Sequence, residues 1–472
     1  MSNIEKDIRV RLAPSPTGAL HVGTARSGIF NFLFARHMGG SFILRIEDTD
    51  LERSSKAFET DILDGLAWLG ITSDEPVTRQ TERTELYSKY LMQLVDNARA
   101  FYCPHTIEEL DAERKQYMAD KQPPRHHCDA RDAGGKQGII RLRNDIVDPV
   151  VFNDIIRGEI SFDPRMLGDI SLAKNISAPL YNFAVVIDDF DMRISHVIRG
   201  EDHIPNTPKQ MLILRALQID VPQYAHMPLL LGTDRSKLSK RHGATSVSDY
   251  RASGYLADAM FNYLALLGWN PGTDQEVFSQ KELANQFTLE RVQKAGAIFD
   301  IVKLDWMNGE YIRRRSPHML RELAVPYFGE LLNSNMPHVQ NKDEYIERIL
   351  MLEQPRLKKL SELPEKTDYF FKEPKYDASL LIWKTMSNED VKNALARAQK
   401  IIQEIPQEQW NKEHIESVFF KEAENYQNRG ELLWPLRVAL SGKKASPGPF
   451  DILALLGRPV AVSRIQNATA ML

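Results

Sequence analysis

Apolar and polar positions near the start of the chain predict a strand, a turn, a helix and a second strand within residues 9–50. Residues 8–12 alternate apolar with polar side chains, which is the period of a strand, and Phe42, Leu44 and Ile46 resume that period. Two prolines and a glycine in residues 14–18 favour a turn, and a helical pattern follows until Gly39, a typical C-terminal cap. Such a β-α-β unit should be parallel and right-handed.

The pattern changes several times along the rest of the chain. Short strand-like runs interrupt it at residues 138–162, and the continuous apolar run 181–187 predicts a buried strand. Further strands are expected at residues 195–198 and 227–231, whereas residues 317–472 show helical spacing without strand signals. We therefore predict an α/β fold: a Rossmann-type parallel-sheet domain, split by an inserted domain and followed by an all-α C-terminal helical bundle.

The predicted domain boundaries follow these changes of pattern. The halves of the Rossmann-type domain are residues 1–83 and 181–235, the insertion is 84–180, a segment with a basic loop is 236–316, and two helical subdomains are 317–375 and 376–472.

Composition excludes some classes of protein and leaves others open. The 472 residues are 43% hydrophobic and 26% charged, which is ordinary for a globular protein, and no apolar run approaches the length of a membrane span. Residues 1–6 lack the apolar core of a signal peptide, and two cysteines fit a reducing cytoplasm, so we expect a cytoplasmic protein. A net charge of −4 gives no global sign of nucleic-acid binding, which must rest on local basic clusters.

Ligands of a parallel sheet bind beyond the carboxyl ends of its strands. There the turn 14–23 offers small residues, free backbone N–H groups, two hydroxyls and the imidazole of His21, a set that suits phosphate at a helix N-terminus. The acidic tract 47–50 suits an amine or a metal. Because the turn is neither GxGxxG nor GxxxxGK[ST], dinucleotide and P-loop interpretations are weak.

Three tracts carry a resemblance to a known family. Residues 16–24 (PTGALHVGT) resemble the "HIGH" signature of class I aminoacyl-tRNA synthetases, and residues 237–241 (KLSKR) resemble the second signature, "KMSKS". Residues 45–50 (RIEDTD) are similar to the tract that follows the first signature in glutamyl and glutaminyl enzymes. The two signatures occur in the family's order and are separated by an insertion. The chain resembles bacterial-type glutamyl-tRNA synthetases over almost its whole length.

This resemblance implies an activity and its partners. Such a ligase activates L-glutamate with ATP and Mg²⁺ to glutamyl-adenylate, releases pyrophosphate, and transfers glutamate to the 3′-terminal adenosine of tRNA(Glu). Residues 84–180 would contact the tRNA acceptor end, 236–316 its stem, and 317–472 the anticodon. A monomer without a membrane partner is expected, and charging of tRNA(Gln) stays open.

The two signatures would hold ATP from opposite sides. Binding residues implied by the resemblance are Pro16, Thr17, Gly18, His21, Gly23, Thr24, Lys237, Leu238, Ser239, Lys240 and Arg241. His21, Lys237 and Lys240 would be catalytic, with Lys240 stabilising the departing pyrophosphate. Alone, the cations of residues 235–241 would more often form a solvated loop. Thr24 replaces the second signature histidine and cannot carry charge, so its share of catalysis is open.

Glutamate needs a cation for its side chain and an acceptor for its amine. Arg11 and Arg199 follow predicted strands and could reach one pocket, and arginine grips a carboxylate in a fork. Glu47 is the candidate amine acceptor. By resemblance, four further residues would line the pocket: Ala13, Ser15, Tyr181 and Asn182. Taken alone, Arg11 could equally form a salt bridge at the sheet edge.

Both cysteines lie in a possible metal-binding cluster. Cys103, His105, Cys128 and one of His126 and His127, with His126 preferred, would make four tetrahedral Zn²⁺ ligands. The family often has such a zinc site, opening with Cys-x-Cys, and many members have lost it. Sites with and without zinc both stay open.

Three rival interpretations remain. A glutaminyl enzyme would usually carry a β-barrel after the catalytic region, and a tRNA-modifying glutamyl-queuosine synthetase would end there. A catalytically silent RNA-binding paralogue is the third. The helical pattern of residues 317–472 disfavours the first two, and intact Glu47, Lys237 and Lys240 disfavour the last. The basic clusters 313–315 and 358–359 could contact tRNA phosphates.

Overall fold

A computed structural model describes residues 7–336 and 339–472. The expectation about a signal peptide in residues 1–6 lies outside the described residues. The chain forms two compact units: Met1–Arg251 with Ala257–Leu304, and Ala252–Leu256 with Asp305–Leu472. No helix in the described ranges is long and apolar enough to cross a membrane.

The strands all lie in the first unit. They are β1 (Arg9–Leu12), β2 (Ser41–Ile46), β3 (Thr78–Arg79), β4 (Ala100–Cys103), β5 (Ile139–Leu142), β6 (Val150–Asp154), β7 (Gly158–Phe162), β8 (Ile170–Asn175), β9 (Ala178–Pro179), β10 (His196–Gly200), β11 (Gln223–Met227), β12 (Leu230–Leu231) and β13 (Ala297–Ile298).

Helices occur in both units. They are α1 (Val22–His37), α2 (Lys56–Trp68), α3 (Thr84–Asp96), α4 (Ile107–Ala119), α5 (Tyr181–Asp191), α6 (Thr207–Leu217), α7 (Val247–Ala252), α8 (Ala257–Leu266), α9 (Gln280–Gln286), α10 (Ile301–Arg313), α11 (Pro317–Phe328), α12 (Lys342–Glu353), α13 (Leu363–Thr367), α14 (Asn388–Glu404), α15 (Lys412–Ala423), α16 (Gly430–Ser441), α17 (Pro449–Leu456) and α18 (Arg458–Ala470).

A parallel sheet organises the first unit. β1 pairs parallel with β2, β2 with β3, and β10 with β11. The backbone N–H of Ser195, just before β10, donates to the carbonyl of Arg9 at 2.9 Å, so β10 lies beside β1. The carboxyl ends of β1, β2 and β10 therefore meet at one edge, as the predicted β-α-β unit requires.

Residues 84–180 build strands of a different kind. β4, β5, β8 and β9 form an antiparallel sheet. The predicted strand-like runs in residues 138–162 are β5, β6 and β7, whereas β4, β8 and β9 were not predicted. β6 pairs antiparallel with β7 and also joins β11 in parallel through Tyr224 and Asp154. Part of the inserted segment is thus built into the parallel sheet.

Two strand predictions were wrong. Residues 181–187 form the first part of helix α5, because a short buried apolar run has no periodicity that separates strand from helix. The predicted strand 227–231 is two strands, β11 and β12, and Pro228 lies between them. A proline has no N–H for a ladder hydrogen bond, which explains the interruption.

The second unit is helical, as predicted. Its described residues from Asp305 onward contain helices and turns without a strand. In α14, Ser387 caps the N-terminus with a capping box, and the residues of one face are fully or nearly fully buried: Val391, Ala394, Leu395, Ala398, Ile401 and Ile402. This face packs into the bundle while charged residues cover the other. The proposed division of residues 1–472 into six domains stays a prediction.

Candidate active site

A cavity of about 460 Å³ opens at the carboxyl edge of the parallel sheet. It brings together six of the seven residues predicted for glutamate and five of the eleven predicted for ATP. From the predicted glutamate set it contains Arg11, Ala13, Ser15, Glu47, Tyr181 and Arg199, and from the predicted ATP set His21, Gly23, Thr24, Lys237 and Leu238. Charged side chains enter it from the carboxyl ends of β1, β2 and β10.

His21 lies at the N-terminus of α1, where the helix dipole places partial positive charge. Its Nδ1 accepts a hydrogen bond from the N–H of Gly23 at 3.0 Å, so the ring proton lies on Nε2. Burial, and secondly the charge of Lys237, lower the pKa of His21. The imidazole is therefore a neutral donor at the helix end, in a position that suits phosphate.

Lys237 also lines the cavity, from the basic loop after β12. Its Nζ pairs with Asp202 at 2.9 Å, and both side chains are substantially exposed. A mobile or exposed cation of this kind can exchange a carboxylate partner for a phosphate. Asp202, which the sequence analysis did not assign, also lines the cavity and is the partner of Lys237 in this structure.

The remaining residues of the two signatures lie around the cavity. Ser239 donates its N–H to His242, and Arg241 pairs with Asp234 at 3.3 Å, so neither contacts the cavity in this state. The backbone of Lys240 begins a 3₁₀ turn, and its side chain lies outside the described part of the structure. In the first signature, the carbonyl of Pro16 accepts from Ser55, and Thr17 and Gly18 lie outside the cavity lining.

Beneath the cavity, Arg11 and Arg45 share the carboxylate of Asp189. Arg11 donates through Nε and Nη2 at 3.0 and 3.2 Å, and Arg45 through Nη1 at 2.8 Å. Burial acts against the charge of Asp189, but the two guanidinium groups outweigh it and lower its pKa. Arg11 thus forms the salt bridge that the alternative interpretation foresaw, while also lining the cavity.

Glu47 is held in the same network. Arg45 Nη2 donates to its carboxylate at 3.0 Å, and only 7% of Glu47 is exposed. Burial raises the pKa of Glu47, partly offset by Arg45. Its carboxylate is oriented before any ligand arrives, as an amine acceptor should be.

Arg199 offers an unused donor. Its Nε donates to His226 at 3.1 Å and its Nη2 to Thr207 at 2.8 Å. Its Nη1 is buried and has no hydrogen-bond partner among the described residues. A buried unpaired donor of a guanidinium group is costly, which points to a ligand that accepts from it.

Tyr181 and Asn182 take different positions although they are neighbours. The hydroxyl of Tyr181 contacts His203 Nδ1 at 3.0 Å in the cavity, and burial raises its pKa to about 12. Asn182 accepts from Gln210 and lines a neighbouring cavity. His203, missed by the sequence analysis, has its pKa lowered to about 4 by burial and then by Arg199.

The predicted cysteine and histidine cluster assembles away from the cavity. Ligand-type atoms of Cys103, His105, His126 and Cys128 all lie within 4.8 Å of one another. Sulfur-to-nitrogen distances are 3.5 Å for Cys103–His105 and Cys103–His126, and 3.6 Å for Cys128–His105. Glu113 contacts His126 Nδ1 at 2.6 Å, which leaves Nε2 facing the sulfurs. The neighbouring His127 is exposed.

Comparison with protein families gives the class of the chain. Residues 7–306 match the family model of tRNA synthetases class I (E and Q), catalytic domain, and residues 319–469 match an anticodon binding domain. The chain belongs to the class I tRNA synthetases of the E and Q type, in agreement with the two signatures at its cavity.

Individual relatives are more specific. The chain is 42% identical to a glutamate–tRNA ligase of Carboxydothermus hydrogenoformans, with 98% of this chain and 99% of the relative covered. It is 42% identical to glutamate–tRNA ligase 2 of Thermoanaerobacter pseudethanolicus, with 98% of each covered. Among solved structures, a glutamate tRNA ligase from Elizabethkingia meningosepticum in complex with its amino acid matches with a TM-score of 0.86, 31% identity and coverage of 98% and 99%. The resemblance to bacterial glutamyl-tRNA synthetases is confirmed.

Proposed function

We propose that the protein is a glutamate–tRNA ligase that joins L-glutamate to ATP, releases pyrophosphate, and transfers glutamate to the 3′-terminal adenosine of tRNA(Glu). One observation carries the proposal: a single cavity combines His21 and Lys237, which suit phosphate, with Arg199 and Glu47, which suit an amino acid. Relatives that bear this name over their full length support it.

Activation requires alignment of two anions more than covalent help from the protein. The helix α1 N-terminus and the Nε2 proton of His21 bind the triphosphate on one side, and Lys237 leaves Asp202 to bind it on the other. Mg²⁺, when bound with ATP, neutralises charge on the phosphates. Lys240 follows on the same loop, and we assign it to the departing pyrophosphate.

The amino-acid end selects a carboxylate. Arg199 Nη1, which has no hydrogen-bond partner among the described residues, donates to the side-chain carboxylate of glutamate, and Glu47 accepts the amine. Glutamine would place a neutral amide at this buried cation and lose the charge-assisted hydrogen bond. The cavity therefore favours glutamate over glutamine.

Recognition of tRNA is assigned to separate parts of the chain. We propose that the inserted segment contacts the acceptor end and that the helical unit, which matches an anticodon binding domain, reads the anticodon. A glutaminyl enzyme with a β-barrel there is disfavoured by the helices α11–α18. We expect a cytoplasmic monomer that acts without a membrane.

We also propose a structural zinc ion at Cys103, His105, His126 and Cys128. Tetrahedral zinc, with bonds of about 2.3 Å to sulfur and about 2.0 Å to nitrogen, separates such ligand pairs by about 3.5 Å. The three sulfur-to-nitrogen distances are 3.5, 3.5 and 3.6 Å. Glu113 orients His126 in the way that carboxylates orient zinc-bound histidines.

Elemental analysis should give one zinc per chain, lost in Cys128→Ser; an absence of metal in freshly purified protein would contradict the site.

Pyrophosphate exchange tests the proposed reaction. Wild-type protein with ATP, Mg²⁺ and tRNA(Glu) should exchange labelled pyrophosphate into ATP when glutamate is added, and glutamine should give no exchange. Parallel charging of tRNA(Glu) and tRNA(Gln) defines the tRNA range. Exchange with glutamine alone would indicate a glutaminyl enzyme, and no exchange under any condition would indicate the silent paralogue.

A further inference from the structure

A chain of buried side chains runs from the inserted segment to the cavity. Asp154 ends β6, His226 lies on β11, and Arg199 lies on β10. Their exposed fractions are 1%, 0% and 6%. Asp154 Oδ2 contacts His226 Nδ1 at 2.6 Å, and His226 Nε2 contacts Arg199 Nε at 3.1 Å.

The direction of these hydrogen bonds follows from chemistry. A guanidinium N–H can only donate, so His226 Nε2 accepts and the ring proton lies on Nδ1. Asp154 accepts that proton as a carboxylate, so a reversed tautomer would leave Arg199 without its acceptor. Burial lowers the pKa of His226, which keeps the imidazole neutral beside the guanidinium.

Neighbouring groups fix this arrangement. Asp154 also accepts from the backbone N–H groups of Ile156, Arg157 and His226. The ring of Tyr224 stacks on the imidazole with an interplanar angle of 11°. Thr207 Oγ1 accepts from Arg199 Nη2, so two of the three guanidinium nitrogens are held and only Nη1 is left for a ligand.

We propose that His226 and Asp154 are positioning residues that hold Arg199 for the side-chain carboxylate of the amino-acid substrate. The proposal rests on the proposed function and deepens it, because it assigns part of amino-acid recognition to a residue of the inserted segment. His226 and Asp154 do not line the cavity. His226 Nε2 also contacts Thr207 Oγ1 at 3.1 Å, so they act through Arg199 and the threonine that holds it.

The test is pyrophosphate exchange with tRNA present, with KM measured separately for glutamate and ATP. His226→Asn keeps a donor toward Asp154 but is too short to accept from Arg199. It should raise KM for glutamate about tenfold, since a hydrogen bond to a charged group is lost, with kcat and KM for ATP within about threefold of wild type. His226→Gln carries its amide oxygen farther and should recover part of the loss. Asp154→Asn should raise KM for glutamate by a smaller factor.

Controls separate positioning from stability and from the proposed reaction. His196→Asn changes a histidine of the neighbouring strand β10 whose ring contacts Ser195 rather than Arg199, and should leave both KM values unchanged. If His226→Asn does not fold, Thr207→Val removes the second hold on Arg199 and should raise KM for glutamate alone. An unchanged KM for glutamate in folded His226→Asn, or an equal rise for ATP, would overturn the positioning role. Absence of exchange in the wild type would instead overturn the proposed reaction.

Discussion

The two ends of the cavity are built in different ways. At the amino-acid end, Arg11, Glu47 and Arg199 are 5–7% exposed and joined to buried partners. At the nucleotide end, the side chains of Lys237 and Asp202 are 63% and 44% exposed, and their ion pair is of the surface kind. Buried pairs fix geometry before a ligand arrives, whereas a surface pair contributes little stability and can be exchanged. The proposed function therefore assigns selectivity to the rigid end and phosphate binding to the loop end.

Removal of Arg199 should have the largest effect on activity, and the effect should be confined to the amino-acid end. Arg199→Ala takes away the buried cation for the substrate carboxylate, and loss of one partner of a buried ion pair costs several kcal/mol. We expect kcat/KM for glutamate to fall about 10³-fold while KM for ATP changes little. Steady-state pyrophosphate exchange measures both, and an equal fall for ATP would contradict the separation of the two ends.

A matched pair of carboxylates tests burial directly. Asp189→Asn leaves Arg11 and Arg45 without a shared counter-charge, and should lower the free energy of unfolding by about 3 kcal/mol. Asp202→Asn removes the same charge from an exposed pair and should change it by less than about 1 kcal/mol. Urea denaturation of the two variants compares them, and similar losses would show that the two ends do not differ.

Loss of Lys237 should act on the nucleotide alone. Lys237→Ala removes one phosphate-binding cation, for which we expect a fall of about 30-fold in the exchange rate with KM for glutamate nearly unchanged. The folded protein should be as stable as the wild type, because the side chain is largely exposed. Exchange assays with varied ATP and a thermal melt test both expectations. A marked loss of stability would contradict the claim that the Lys237–Asp202 pair contributes little to stability.

His203 should make the amino-acid end sensitive to acid. Its pKa is lowered to about 4 in the folded protein. Between about pH 6.5, the ordinary pKa of histidine, and about pH 4, His203 is therefore protonated in the unfolded chain but stays neutral in the folded protein. The free energy of unfolding should therefore fall as the pH drops, by about 2 kcal/mol at about pH 5 from this group. His203→Asn should lose less stability than wild type between about pH 7 and about pH 5 in urea denaturation. An equal loss of the free energy of unfolding in His203→Asn and in the wild type would contradict the lowered pKa of His203.

The sequence predicted those features that depend on residues close together in the chain. The strand, turn and helix around His21, and the Cys103–Cys128 cluster, depend on spacings within about 25 residues or on rare residue types, and both assemble as predicted. Helix α5 was mistaken for a strand because a short buried run carries no period.

The buried polar networks around the cavity could not be predicted in the same way. Asp154 is 72 residues from His226 in sequence, and only pairing of β6, β10 and β11 brings Asp154, Arg199 and His226 together. A weak signal was present: a histidine within the otherwise apolar run 224–227, and two aspartates that end the apolar run 183–187. Polar residues at such positions are costly unless paired, so they mark networks whose partners the sequence does not name.

The central claim is that both ends of one cavity bind a single molecule of glutamyl-adenylate. Isothermal titration with a non-hydrolysable sulfamoyl analogue of glutamyl-adenylate tests it most directly, in wild type, Arg199→Ala and Lys237→Ala. We predict one site per chain in the wild type and weaker binding in each variant, with the larger loss for Arg199→Ala. Unchanged affinity in either variant would show that the two ends do not serve the same ligand.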